Sequence, residues 1–254
     1  MSTLIEIFSF LDQLAPVKSQ MNFDNSGFLV GHNKKTIHRT LLSLDVTSDV
    51  VREAIELGSD LIISHHPIIF KPIKSLTDTE PNSSNLLSLV ENGISVISMH
   101  TNLDIADDGV NDALVQTFDY QSNEDIADGL GRICQLQNPI SLQRFLCECK
   151  SKLQVNGIRY VEGSQFVSKI AFLGGAGSEF IRTVCDKKCD TYVTSDIKYH
   201  DFILARELHL NLIDADHYCT ENPVINRLKL KLSLQFPDVE FTVSEVHKQV
   251  IKFF

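Results

Sequence analysis

The feature that most constrains this chain is the alternation of short, β-branched apolar runs with segments of helical period. Leu41-Leu42-Ser43-Leu44-Asp45-Val46 reads as a buried strand, followed by a helix from Ser48 to Leu57 that Gly58 closes. Asp60-Leu61-Ile62-Ile63-Ser64 predicts the next strand, Ser84 to Glu91 a helix, and Ile94 to Met99 a third strand. Asp108-Gly109-Val110 opens a helix that runs to Phe118. The second half repeats the style, with strands at Lys169–Leu173, Thr191–Thr194 and Leu212–Asp214. Helices are expected at Leu142–Leu153, Ser178–Cys185 and Asp201–His209, and Val239–Val246 reads as an edge or antiparallel strand. Such alternation predicts an α/β fold with mixed, largely parallel sheets. Periodicity is weakest around Gln121–Gly131, so two α/β lobes are expected, residues 1–126 and 127–254.

A chain of 254 residues is long enough to bury a core in each lobe. Its formal net charge of -10 argues against broad, salt-dependent binding to nucleic acid or to an anionic membrane. An anionic small substrate stays compatible, because a local basic or metal-lined pocket overrides the average field. No apolar run approaches the ~20 residues of a membrane span. The run Met1-Ser2-Thr3-Leu4-Ile5-Glu6 carries an early acid and no basic segment, so no secretory leader is expected there and the expected location is cytoplasmic. The six cysteines all follow residue 133, which does not suit a disulfide framework spanning the chain. Cys147-x-Cys149 and Cys185-x-x-x-Cys189 lack a second pair at zinc-finger spacing and read as ordinary thiols.

In an open α/β sheet, ligands collect at the carboxyl ends of strands. Three predicted strands end in groups able to hold metal: Ser64-His65-His66-Pro67, His100-Thr101-Asn102-Leu103-Asp104, and Asp216-His217-Tyr218-Cys219-Thr220-Glu221. Successive side chains of an extended segment point to opposite sides, so His65 and His66 suit two neighbouring ions better than one. Asp104, with two oxygens, suits a bridge between them. Pro223 cannot sit inside a helix that includes Cys219, so a helix is expected to start with Thr220 as its cap and Glu221 in its first turn. His217 then falls in the preceding loop. The set His65, His66, Asp104, His217 and Glu221 suits zinc, iron, manganese or nickel rather than calcium or magnesium. One histidine after a strand is ordinarily structural; three such strand ends together point to a metal site.

Two further segments are polar or glycine-rich. Leu173-Gly174-Gly175-Ala176-Gly177-Ser178-Glu179 is either an anion cradle or simply a tight strand-to-helix connection. In Thr194-Ser195-Asp196-Ile197-Lys198-Tyr199-His200-Asp201, Asp196 and His200 are candidate outer groups behind a metal ligand, and Lys198 a candidate partner for substrate charge; His200 equally suits a helix cap. His32, His38, His209 and His247 show no partner pattern, and Asn22–Gly27 is a turn by composition.

Together with Phe23-Asp24-Asn25-Ser26-Gly27 and Ser43-Leu44-Asp45-Val46-Thr47, these motifs resemble the GTP cyclohydrolase 1 type 2 family, also described as NGG-interacting-factor-three-like dinuclear metal proteins. The resemblance covers essentially the whole chain. It implies a two-ion site held by His65, His66, Asp104, His217 and Glu221 in a cleft between two α/β lobes. It also implies a toroidal homohexamer built as a trimer of dimers, in a short form without an inserted middle domain. Three positions depart from the family pattern: Phe23 stands where Trp is usual, and Ser195 and Asp216 stand where glycine is usual. Every ligand position is retained, so the departures bear on substrate fit.

The reading that follows is a metal-dependent hydrolase acting on a small molecule, a purine nucleotide such as GTP. Two ions about 3.5–4 Å apart would lower the pKa of a bound water, which would attack the imidazole carbon of guanine and lead to loss of formate. His100 is the candidate for proton transfer, or equally an outer group of the site. The competing reading is a non-catalytic hexameric metal-binding adaptor or regulatory protein, since the same ligands serve both.

Overall fold

The structure is a computed structural model that describes every residue except Lys34. In chain order it begins with α1 (Leu4–Leu14), β1 (Gly27–Val30), β2 (Arg39–Ser43), α2 (Ser48–Glu56) and β3 (Leu61–Ser64). There follow α3 (Pro81–Glu91), β4 (Ser95–Ser98), α4 (Thr101–Ile105), α5 (Val110–Thr117), β5 (Ser122–Glu124) and β6 (Arg132–Ser141). Next come α6 (Leu142–Leu153), β7 (Arg159–Val161), β8 (Phe166–Ala176), α7 (Ile181–Asp186) and β9 (Thr191–Ser195). The chain ends with α8 (Tyr199–Glu207), β10 (Asn211–Asp214), α9 (His217–Glu221), α10 (Pro223–Gln235) and β11 (Glu240–Val243). This is the mixed α/β architecture that the alternation predicts. Among the described residues, no helix is long and apolar enough to cross a membrane.

The chain divides into two compact units. The first comprises Met1–Asp107 with Ile225–Lys248, and the second Asp108–Val224 with Gln249–Phe254. The units are therefore discontinuous, whereas the sequence expectation ran 1–126 and 127–254. The physical reason lies in β11, which pairs with β2 in parallel, Glu240 opposite Arg39 and Val243 opposite Leu42. Pairing at that sequence separation leaves no trace in local periodicity. It also corrects the antiparallel option for Val239–Val246: the strand is an edge strand, but parallel.

The first unit holds a five-stranded sheet in the order β1-β4-β3-β2-β11. Strands β2, β3 and β4 run parallel in register, Leu42 beside Ile63 and Ile63 beside Ile97. Strand β1 closes the far edge antiparallel to β4. All four residues of β3 and of β4 are buried, as expected of central parallel strands covered on both faces. Leu4, Ile7 and Leu11 give α1 one buried stripe, and Thr3 and Glu6 close its start as a reciprocal capping box. Helix α2 starts at Thr47, whose side chain accepts from Val50 N, and buries Val50, Val51 and Ala54 against the core that contains Leu41, Ile62 and Val96.

The second unit holds a six-stranded sheet, β5-β6-β8-β9-β10-β7. Only β8-β9 and β9-β10 are parallel; the other pairings are antiparallel, so this sheet is more mixed than the first. Helix α6 spans the residues the sequence predicts, buries Leu142, Phe145, Leu146, Cys149 and Leu153, and is capped by Ser141. Phe145 packs among Phe118 and Phe172, and truncating it to alanine is expected to cost about 3–5 kcal/mol.

Candidate metal centre

In the first unit, the strand pairing continues past the end of β3. His65 N donates to Ser43 O (3.3 Å), His66 N to Leu44 O (2.8 Å), and Met99 N to Ser64 O (2.9 Å). The two histidines are thus fixed by the sheet, and Ser64 Oγ tightens the turn by donating to His66 O at 2.8 Å. His65 is fully buried, and its Nδ1 lies 2.8 Å from Met99 O. A carbonyl only accepts, so Nδ1 carries a proton and Nε2 is the ring nitrogen on the side away from that bond. That Nε2 lies 3.7 Å from Asp104 Oδ1. Asp104 reaches this place because α4 opens directly after β4, with His100 O accepting from Asp104 N at 3.1 Å.

His66 and His100 repeat the arrangement with carboxylates behind them. His66 Nδ1 is 2.7 Å from Asp45 Oδ1, and His100 Nδ1 is 2.7 Å from Asp24 Oδ1. Ligand atoms of His65, His66 and His100 all lie within 4.8 Å of one another. Burial opposes ionisation of Asp24, but hydrogen bonds from His100 and Thr101 outweigh it and hold the carboxyl well below the usual range. Asp45 is held down in the same way against its burial, by His247 and His66; His247 Nε2 lies 2.9 Å from its second oxygen.

In the second unit the sequence expectation is corrected. The helix containing Glu221 does not begin at Thr220: α9 begins at His217, capped by Asp216, whose side chain accepts from Cys219 N at 3.0 Å. Pro223 starts the separate α10, where a missing N–H costs nothing. A short helix ending before the proline satisfies the steric limit that was expected to exclude His217. His217 and Glu221 are consequently an i,i+4 pair, with Nε2 3.0 Å from Oε2, while His217 Nδ1 is 2.7 Å from Asp196 Oδ2. Burial disfavours the imidazolium, but hydrogen bonds to Asp196 and Glu221 outweigh it and push His217 up to about 11. The positive charge that Glu221 favours at this position is a proton on Nε2, facing Oε2. A divalent ion binding both Nε2 and Oε2 would replace it, so this nitrogen–oxygen pair fits a metal.

The glycine-rich segment resolves in favour of close packing. Gly174 and Gly175 lie within β8, and their N–H groups donate to Asn111 Oδ1 and Thr220 Oγ1, both at 3.0 Å. A Cβ on Gly175 would stand 2.1 Å from Glu221 Oε1 and 3.3 Å from His217 Nε2, at a φ of +68°. Glycine here clears room for the Glu221 and His217 side chains rather than cradling an anion. Asp216 occupies a φ of 73° with its Cβ in place, in the left-handed half of backbone space where glycine is favoured. Ser195, by contrast, is ordinary strand in β9.

The structure therefore assembles His65, His66, His100 and Asp104 in one unit and His217 with Glu221 in the other. Asp196 stands behind His217, whereas His200 is exposed and lies 3.5 Å from Asp201. Sequence reasoning missed Asp45, Asp24 and His247. Asp45 lies just past β2, which ends at Ser43, whereas the apolar run predicts a strand that continues through it to Val46. Asp24 sits in a turn, and His247 lies 202 residues from its partner, so neither carries a local signal.

A sequence model of the family described as Duf34/NIF3 (NGG1p interacting factor 3) matches residues 2–250. A Clostridium perfringens protein named GTP cyclohydrolase 1 type 2 homolog is 32% identical over 259 residues, covering 98% of this chain and 99% of its own. A Helicobacter pylori protein named GTP cyclohydrolase 1 type 2 is 34% identical over 221 residues, covering 87% of this chain and 88% of its own. Among solved structures, the Staphylococcus aureus protein SA1388 is similar with a TM-score of 0.92 at 27% identity, covering 100% of this chain and 99% of its own.

Proposed function

The chain belongs to the Duf34/NIF3 (NGG1p interacting factor 3) family, and on that premise we propose that it is a hydrolase dependent on two divalent metal ions held by His65, His66, Asp104, His217 and Glu221. The observation that carries the proposal is a shared orientation. His65, His66, His100 and His217 all spend Nδ1 on a backbone carbonyl or a carboxylate, and so commit Nε2 to whatever lies on the other side. That is how metal-binding histidines are fixed in tautomer and direction by their outer partners. When bound, the ions acidify water, so that a nucleophile is present near neutral pH.

The substrate in this reading is a purine nucleotide, and the name of the Helicobacter pylori relative points to GTP. Water adds to the imidazole carbon of guanine, the ring opens, and a second water releases that carbon as formate. The donor set of imidazoles and carboxylates suits zinc, iron, manganese or nickel. His100, held through Nδ1 by Asp24, takes or gives a proton at Nε2. The working form in this reading is a cytoplasmic homohexamer.

The test is formate release from GTP by metal-loaded protein, set against Glu221→Ala at matched protein concentration. Formate from the parent and none from the variant supports the hydrolase. Formate no greater than the variant's, with both ions bound in the parent, overturns it in favour of a non-catalytic metal-binding role.

A further inference from the structure

Phe23 and Phe70 stand on the surface of the first unit, 64% and 43% exposed, although aromatic rings are ordinarily well buried. Their ring centroids lie 6.4 Å apart, edge to face, and the Phe70 ring meets His100 edge-on at 6.0 Å. Polar bonds enforce this placement from two sides. Asp24, the neighbour of Phe23, accepts from His100 Nδ1 at 2.7 Å and from Thr101 N at 3.0 Å. Asn25 Nδ2 donates to the carbonyl of Ile69, the neighbour of Phe70, at 2.5 Å. The turn that orients His100 thus also holds two exposed rings beside it.

We propose that Phe23 and Phe70 form an aromatic subsite that stacks a planar heterocyclic ring of the substrate and presents it to the histidine cluster. The proposal rests on the hydrolase reading above, in which the heterocycle is a purine base. A flat ring offers a π-face to the phenyl groups and polar edge atoms to the imidazoles at the same time, which an aliphatic chain does not. Continuity with His100 distinguishes the pair from isolated surface hydrophobes, which need no explanation.

The chain contains no tryptophan, so F23W introduces a single indole into the subsite. Its fluorescence, titrated with guanosine, GTP, pterin and inorganic triphosphate, reads stacking directly, without turnover. Metal content is measured in every sample. Saturable quenching by guanosine and GTP, with none by triphosphate, is expected. F70A in the F23W background should weaken that binding about tenfold, the loss of one base–aromatic stack, at unchanged metal content. F23A, followed by equilibrium dialysis with guanosine, should weaken it similarly.

Quenching by pterin but not by guanosine would keep the subsite and reject the purine reading. Quenching by guanosine without formate release would keep the subsite and reject the hydrolase. Absence of saturable quenching by any of the flat rings overturns the subsite. So does unchanged affinity in F70A, including the case where F70A alters only the oligomeric state.

Discussion

The two halves of the candidate ligand set, one in each unit, are held in place by different means. In the first unit, His65 and His66 extend from β3 and remain tied to β2 by backbone hydrogen bonds, so the sheet fixes them and His65 spends Nδ1 on Met99 O. In the second unit, His217 and Glu221 sit on the five-residue α9, which depends on Asp216 at a positive φ and on the absence of a side chain at Gly175. One half is built on sheet pairing that many residues share. The other hangs on two backbone positions. The second half should therefore be the more easily broken by single changes that leave the fold intact.

The largest effect expected is on metal content. Glu221→Ala and His65→Ala should each lower the ions counted per chain by elemental analysis, and retention of both ions in either variant would break the assignment. Next is Gly175→Ala, whose new Cβ would strike Glu221 at 2.1 Å. It should lose metal and stability together. Gly93→Ala is the control, with nothing within 4 Å at a similar φ of +64°; it should cost only the left-handed strain of about 1–2 kcal/mol and no metal. Equal metal loss in the two variants would contradict the clearance role.

The outer carboxylates compare the halves directly. Asp45→Asn behind His66 and Asp196→Asn behind His217 should each weaken metal affinity about 10- to 100-fold, which competition with a chelating dye measures. An effect in neither would mean that Nδ1 orientation does not matter here. Asp216→Gly should raise stability by about 1 kcal/mol: the backbone strain relieved is about 1–3 kcal/mol, and glycine costs only a few tenths as a cap. Asp216→Ala, which keeps the strain and loses the cap, should lower the melting temperature.

The smallest effect is a pH dependence. Asp24 has its carboxyl held below its ordinary 3.8, so its stabilising contribution is complete above that value and fades as pH falls towards the folded-state value. The melting-temperature gap between parent and Asp24→Asn should therefore be widest above about pH 5 and narrow on acidification. A gap that widens in acid would show the sign to be wrong.

The same contrast explains what was legible in the sequence. Parallel strands buried on both faces write themselves as apolar runs, and β2, β3 and β4 were readable, together with the candidates His65, His66 and Asp104 that follow β3 and β4. Helix α6 was readable to its ends because its buried stripe and Ser141 cap are local. The start of α9 was not, because Pro223 limits only where a helix must stop. Asp216 as cap needs a φ that its residue type does not advertise. The parallel docking of β11 on β2, and His247 on Asp45, join residues some 200 positions apart, and nothing in either segment alone specifies its partner.

The central proposal is that His65, His66, Asp104, His217 and Glu221 hold a pair of metal ions. Anomalous diffraction from crystals of the metal-loaded protein, collected at the metal absorption edges, tests it most directly. The account predicts two anomalous peaks per chain, ligated among them by His65, His66, Asp104, His217 and Glu221. A single peak, or peaks whose ligands exclude either the His65–His66 pair or the His217–Glu221 pair, would contradict it.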